Sequence, residues 1–345
     1  MEVQPVKNIE LYEVGFRDYR FCHGLFIPTD IAANTIEMLV DAGIQRIEVG
    51  ASVNYSKFQF MANSYDILVE SKKRKLPATF SMYIPPFVRH YPKIKINRLL
   101  KEEKLLKEDA EFAIPDEICV SVSASEKRNL DILKIKQDEV IFGIKKICDL
   151  AKKDKLRIRG YVSAAFGYDD GEDDDVSLVN VVGLTELLFD FGCYEVALGD
   201  TRGKAELNLF SKKWETIWKF ISNRGNVITL HFHEHDYRQW QRDVMHVLQY
   251  GIGIFDTSVI DKTEPIKKVE DATLINGNIP PNASTLKMAR FVNQLNGFPE
   301  EEKIELGALS FTTGIDYLKL KIAHEYIRRA VEEKSVRETK LREMV

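Results

Sequence analysis

The chain has 345 residues, 44% of them hydrophobic and 30% charged, with a formal net charge of −4. That length supports a large core, either as one barrel of roughly 250 residues with additions or as two domains. The mild negative charge gives no general basis for binding nucleic acid or a membrane surface, and no stretch approaches the ~20 apolar residues of a membrane span.

Strand-like and helix-like segments alternate from the start. Residues 9–15 read as a strand that runs into Phe16-Arg17-Asp18. Residues 28–42 carry apolar side chains at helical spacing (Ile31, Thr35, Met38, Leu39), with Pro28 near the start and Gly43 past the end. A strand at 46–50, a helix at about 56–73 and a strand at 78–84 follow. Residues 85–116 are long and charged and break the rhythm; a helix with an extra excursion is expected there. The alternation resumes with a strand at 117–122, a helix at 138–153 and a strand at 157–164. The acidic loop 169–175 comes next, and a charge run of that kind is usually just solvated. A helix at 177–191 and a strand at 194–198 lead to a helix at 207–222.

The β-branched apolar run 226–230 then closes on His231-Phe232-His233 and reads as a buried strand. A helix at 238–250, a strand at 253–258 and a helix at 282–295 complete the series. Eight strands, each followed by a helix where the pattern is clear, predict an α/β fold: a closed (β/α)8 TIM barrel. The barrel is expected over residues 1–298, with a C-terminal helical extension at 299–345. After Ile327 the sequence is almost wholly charged, which predicts a solvated helix or frayed tail.

Four cysteines, Cys22, Cys119, Cys148 and Cys193, are widely spaced and form no CxxC pair. This is the pattern of a reduced interior rather than a disulfide framework or structural zinc site. Met1 to Pro5 has neither the apolar core of a secretory signal nor the arginine-rich character of an organellar presequence. The expectation is a soluble cytoplasmic protein.

In a strand, residues i and i+2 face the same way, with Cα atoms roughly 6.7 Å apart. His231 and His233 placed at a strand end can therefore converge on one divalent ion; a hydrogen-bonded histidine pair is the alternative. If the strands are parallel members of one barrel, their C-terminal ends meet at the rim where such folds do chemistry. The first strand brings Arg17 and Asp18 there, the second Glu48, the fifth Arg159-Gly160-Tyr161-Val162-Ser163, and the sixth Gly199-Asp200-Thr201. One carboxylate with two imidazoles suits Mg²⁺, Mn²⁺, Zn²⁺ or Fe²⁺.

Taken in order, Val14-Gly15-Phe16-Arg17-Asp18, Arg46-Ile47-Glu48, Arg159–Ser163, the run from Gly192 to Thr201, and His231-Phe232-His233 resemble the 3-hydroxy-3-methylglutaryl-CoA (HMG-CoA) lyase family. That family lies within the wider group of isopropylmalate synthase-like barrels. The resemblance spans residues 10–295. It implies a divalent metal, Mg²⁺ or Mn²⁺ first and Zn²⁺ or Fe²⁺ as alternatives, held by Asp18, His231 and His233. An asparagine beyond the last strand would be the fourth ligand, for which Asn278 is the counterpart. It also implies cleavage of a carbon–carbon bond through an enolate. Arg17 would stabilise the developing charge, Asp200 would act as base, and Glu48 would orient Arg17 or a bound water. Ser163 would contact substrate. The structural alternatives are a buried ion pair closing the barrel mouth for Arg17 and Glu48, and a turn-capping carboxylate after Gly199 for Asp200. Barrels of this group often pair as homodimers, though no segment here specifies an interface.

The chain departs from the family at the rim. Where the family carries a glycine-rich loop with a catalytic cysteine, residues 259–268 read VIDKTEPIKK. After Arg17-Asp18 comes the bulkier and more basic Tyr19-Arg20-Phe21-Cys22-His23, and after the histidines Glu234-His235-Asp236-Tyr237-Arg238. His23 and His235 are the replacement acid–base candidates, and Arg20 and Arg238 the candidates for gripping a substrate carboxylate or phosphate.

The expected activity is therefore a metal-dependent carbon–carbon lyase or aldolase acting on a hydroxy acid, an oxo acid or an acyl thioester such as an acyl-CoA. The alternatives are a Claisen-type synthase joining an acyl-CoA to a 2-oxo acid, a lapsed barrel acting as a binding protein, and a non-haem iron oxygenase, against which the barrel rhythm argues.

Overall fold

The computed structural model describes residues 8–168, 176–205, 218, 228–233, 237–261, 283–295 and 313–343; within these, the side chains of 237–239 and 333–343 are not described. Eight parallel strands form a closed barrel in sequence order. They are β1 (Glu10–Glu13), β2 (Arg46–Ala51), β3 (Thr79–Tyr83), β4 (Glu117–Ser123), β5 (Arg157–Ser163), β6 (Glu195–Gly199), β7 (Ile228–His231) and β8 (Ile254–Thr257). The barrel closes where Leu11 pairs with Phe255 and Tyr12 with Asp256. The (β/α)8 architecture expected from the alternation is the one observed.

Alternation along each strand sorts two chemistries. One face sends Leu11, Ile47, Phe80, Ile118, Val162, Leu198 and Phe255 outward into a continuous apolar core against the helices. The other face points into the barrel and is largely polar. Tyr12 OH lies 2.9 Å from Glu117 Oε1 and 2.5 Å from Ser81 Oγ. Arg159, fully buried, donates to both oxygens of Asp256 (2.6 and 3.1 Å), to Glu195 (2.5 Å) and to Thr229 (2.7 Å). Arg46 reaches the same Glu195 at 3.0 Å. Barrels of this class usually fill their centre with branched aliphatic side chains; here a hydrogen-bonded charge network takes that place, with Arg46 Nε left without a partner. Buried ion pairs add little net stability but are costly to break singly, so the network specifies the interior arrangement.

The helices between strands are α1 (Asp18–His23), α2 (Thr29–Asp41), α3 (Ser64–Lys73), α4 (Pro92–Lys101), α5 (Glu126–Leu133), α6 (Gln137–Lys153), α7 (Leu178–Asp190), α8 (Tyr237–Leu248) and α9 (Thr285–Leu295). The helix expected over 56–73 divides into a 3-10 turn at Gln59–Met61 and α3. Between them Asn63 turns its side chain to Ile27 O and to Arg20, so tertiary bonds compete with helix continuation. The expected excursion at 85–116 is α4, with Pro92 at its start, flanked by 3-10 turns at Val88–His90 and Lys107–Asp109. Two short helices, α1 and α5, were not expected from the pattern. The acidic loop 169–175 and the helix expected at 207–222, apart from Trp218, lie outside the described residues.

The first half of the last helix, α10 (Tyr317–Glu343), packs on the barrel. Leu320, Ala323, Ile327 and Val331 are buried at helical spacing, Asn34 of α2 donates to Tyr326 OH at 3.2 Å, and His324 lies 2.7 Å from Asp261 after β8. The segment before it passes so close to Gly43 that a Cβ there would meet Gly314 O at 2.5 Å, and Gly43 has φ +103°. Glycine is required at that junction.

Candidate metal centre and cavity

β1 ends at Glu13, and the chain turns at once into α1, so Arg17 and Asp18 stand at the C-terminal rim. β7 ends at His231, with His233 just beyond it. The ligand atoms of Asp18, His231 and His233 all lie within 4.8 Å of one another, and all three residues are buried. His231 Nε2 and His233 Nε2 are 3.2 Å apart, and Asp18 Oδ2 is 3.6 Å from the first and 3.8 Å from the second. Two nitrogens about 2.1 Å from one ion, at angles between square and tetrahedral, lie about 3.0–3.4 Å apart. The donor set and its spacing fit a divalent cation.

The surroundings reinforce that fit. His231 Nδ1 is 3.1 Å from Asp256 Oδ2; a carboxylate on the far nitrogen fixes the tautomer that turns Nε2 toward a metal. Burial works to lower the His231 pKa, but Asp18 and Asp256 outweigh it and push it up to about 9. Burial also works against the Asp18 carboxylate, yet Arg17 and then His231 and His233 hold it well below the usual range. Without a metal the centre is thus a carboxylate beside a protonated imidazole.

Arg17 donates through Nε to Glu48 Oε2 at 2.8 Å and through a terminal nitrogen to Asp18. Its guanidinium sits over the Tyr161 and Tyr83 rings, 5.1 and 5.6 Å from their centroids. Glu48 is fully buried, also accepts from Tyr161 OH at 3.2 Å, and leaves Oε1 without a partner; burial raises its pKa.

Above these groups opens a cavity of about 330 Å³ lined by Arg17, Asp18, His231, His233 and Ser163 among others. Ser163 pairs with Ser121 at 2.7 Å. Asp200 lies beside the centre: its amide donates to His231 O at 2.8 Å. Its Oδ1 accepts the amides of Lys204 (2.6 Å) and Ala205 (3.2 Å), the turn-capping arrangement. Burial pushes its carboxyl up to about 7.

Two candidates are placed elsewhere. Arg20 is fully buried and points away from the cavity, donating to Asn63 Oδ1 at 2.7 Å and to Phe60 O; α1 turns it into the protein, so it is not available to grip a substrate anion. His23, at the end of the same helix, stacks on Tyr19 with centroids 4.1 Å apart and is outside the cavity lining. His235, Asn278 and the side chain of Arg238 lie outside the described residues. Reasoning from sequence missed Asp256, whose signal was a carboxylate inside the eighth strand, and Arg128, which belongs to the unexpected α5.

No family model matches the sequence. The chain is 29% identical over 255 residues to a hydroxymethylglutaryl-CoA lyase of Bacillus subtilis, covering 73% of this chain and 77% of that one. It is 24% identical over 323 residues to the cytoplasmic 3-hydroxy-3-methylglutaryl-CoA lyase of Mus musculus, covering 94% and 81%. A crystal structure of a B. subtilis HMG-CoA lyase superposes with a TM-score of 0.73 at 25% identity, over 95% of each chain. No helix among the described residues is long and apolar enough to cross a membrane. Relatives and structural neighbours of one kind extend across nearly the whole barrel, so in sequence and fold this chain is similar to the HMG-CoA lyases.

Proposed function

We propose that the chain is a divalent-metal-dependent carbon–carbon lyase that cleaves a hydroxy acid or acyl thioester through an enolate. The observation that carries this reading is the convergence of Asp18, His231 and His233 inside a rim cavity, and relatives named as lyases set the reaction class. Residues 1–298 are read as the catalytic barrel and 299–345 as its helical extension.

Held by Asp18, His231 and His233, with Asn278 as fourth ligand, a divalent cation supplies the Lewis acidity that makes a chelating hydroxyl easier to deprotonate. Mg²⁺ or Mn²⁺ is the favoured ion. Asp200, held by the Lys204 and Ala205 amides behind His231 and with its carboxyl pushed up to about 7, is the candidate base, although Gly199 and Thr201 rather than Asp200 itself line the cavity. Arg17, fixed by Glu48 and overlaid on two tyrosine rings, meets the negative charge as the enolate forms; a preorganised cation there is worth about 3–4 kcal/mol. Ser163 positions substrate from the opposite strand. His235 and Arg238, which follow the histidine pair in sequence, are the candidates for acid–base chemistry and for holding a substrate anion. Residues 259–268 contain no cysteine, so HMG-CoA itself is not the expected substrate.

Any enzyme of this kind must enolise its own product, whichever way the bond is run. Incubating the Mn²⁺-loaded protein in D2O with acetyl-CoA and with pyruvate, and following deuterium entry by mass spectrometry, tests that step without knowledge of the full substrate. Metal-dependent exchange that disappears in Asp18→Ala is the expected result. Bound metal with no exchange on either compound would replace this reading with a binding protein. Condensation of acetyl-CoA with a 2-oxo acid would identify the synthase direction.

A further inference from the structure

The described residues lining the cavity include four cations, Arg17, Lys57, Arg89 and Arg128, and one carboxylate, Asp18. In a chain of net charge −4 that local excess is a field for an anion. The cations are not equivalent. Arg17 is engaged by Glu48 and Asp18. Arg89 donates to His90 at 3.2 Å and covers the Phe87 ring. Lys57 lies over the Phe58 ring at 5.6 Å.

Arg128 differs. It makes no hydrogen bond or ion pair through its guanidinium among the described residues, and its Nε is buried without a partner. Burial lowers its pKa, and Tyr83, Tyr168 and the Asp18 carboxylate across the cavity only partly counter this. A partly buried guanidinium with no anion paired to it directly is costly, and that cost falls when a ligand brings one into contact.

The residue is also held in place. Its backbone amide donates to the capping Ser125 Oγ at 3.0 Å. The neighbouring Asn129 donates to Ser123 O at 3.3 Å, and Gln137 to the same oxygen at 2.6 Å. The first turn of α5 is thus pinned to the end of β4, so Arg128 is presented to the cavity with little freedom left to lose on binding.

We propose that Arg128 is a specificity-determining anchor for a second anionic group, a carboxylate or a phosphate, on a substrate whose chelating end lies at Asp18, His231 and His233. This rests on the metal-site reading of the previous subsection. The forked guanidinium accepts either anion in paired hydrogen bonds. Phe21 and Phe58, on the same wall of the cavity, would cover the carbon chain between the two ends.

Calorimetric titration of the Mn²⁺-loaded full chain separates the possibilities with four 2-hydroxy acids that share one chelating head. 2-Hydroxybutyrate lacks a second charge, malate and 2-hydroxyglutarate carry a carboxylate at two reaches, and 3-phosphoglycerate carries a phosphate. At least one doubly anionic ligand should bind about tenfold or more tighter than 2-hydroxybutyrate. Arg128→Gln should erase that difference while leaving 2-hydroxybutyrate within twofold, and Arg128→Lys should restore part of it. The tighter of malate, 2-hydroxyglutarate and 3-phosphoglycerate identifies the anion. Melting temperatures and Mn²⁺ affinity of both variants should match the wild type, which a merely structural arginine would not allow. Equal binding of all four acids to wild type and Arg128→Gln would overturn the proposal while leaving the metal site intact. Failure of every acid, 2-hydroxybutyrate included, to bind the Mn²⁺-loaded wild type would overturn the metal-site reading and this inference with it.

Discussion

Replacing Asp256 by asparagine keeps its volume and removes its charge, at a position where one carboxylate serves two masters. Its Oδ2 faces His231 Nδ1 at 3.1 Å, and both oxygens take Arg159, at 2.6 and 3.1 Å. An asparagine keeps one acceptor oxygen and gains an NH2 donor. With the oxygen at the Oδ2 place the NH2 meets the Arg159 donor, and with the oxygen at the Oδ1 place it meets the imidazole N–H, so both partners cannot keep all their bonds. With the imidazole released, the tautomer that turns Nε2 toward a metal is no longer enforced. Loss of such an orienting partner typically costs about 10–100-fold in metal affinity, or about 1.4–2.7 kcal/mol. The second consequence is structural. Breaking a buried ion pair outright costs about 3–5 kcal/mol, but Arg159 keeps Glu195 at 2.5 Å, so a loss of about 2–3 kcal/mol is expected. Titration with Mn²⁺ measures the first quantity and urea denaturation of the metal-free protein the second. If Asp256→Asn binds Mn²⁺ within twofold of wild type while remaining folded, Asp256 does not orient His231, and the argument from the carboxylate–imidazole pair is wrong.

Asp18→Ala removes a ligand rather than a ligand's support, so Mn²⁺ retained after gel filtration should fall by more than the roughly 10–100-fold expected for Asp256→Asn. In the metal-free protein, His231 has a pKa pushed up to about 9 against about 6.5 unfolded. It therefore contributes stability that is full below about pH 6.5 and is lost as pH rises to about 9, up to roughly 3 kcal/mol. Urea midpoints of the metal-free protein should decline across that window, and adding Mn²⁺ at pH 7.5 in weak buffer should release close to one proton per site. Gly43→Ala forces a side chain onto a φ of +103° and a Cβ to within 2.5 Å of Gly314 O. It should lower the urea midpoint by about 1–3 kcal/mol without altering Mn²⁺ affinity, since this junction precedes β2 at the end of the barrel opposite the rim.

The barrel was legible because each strand announces itself by an apolar β-branched run and each long helix by its spacing, and eight parallel units close in only one way. The rim was legible for the same reason: a residue at the end of one parallel strand meets those at the ends of the others, so Asp18, Glu48 and His231 could be placed together without knowing any distance. What escaped detection depended on short helices. Residues 18–23 and 126–133 are too brief for a periodic signal, yet the first decides that Arg20 faces the protein and Asp18 the cavity, and the second presents Arg128. The basic departure after Arg17-Asp18 made Arg20 a candidate substrate anchor; with only Tyr19 between them, Asp18 and Arg20 lie about 200° apart around α1 and so on different faces.

The polar interior was missed for another reason. Arg159, Glu195, Glu117 and Asp256 each sit among apolar neighbours in strands read mainly by their apolar residues, and a charged residue in such a run reads as an interruption. Only closure of the barrel shows that these residues face one another. That closure has a functional consequence. Arg46 and Arg159 share Glu195, and Arg159 in turn holds Asp256, which holds His231. The orientation of a metal ligand at the rim is therefore tied, through two arginines and two carboxylates, to the layer of side chains at the opposite end. An all-aliphatic interior would pack as well, but it could not fix the proton on His231 Nδ1. In this chain the charges inside the barrel are better understood as the support of the candidate metal centre than as a source of stability.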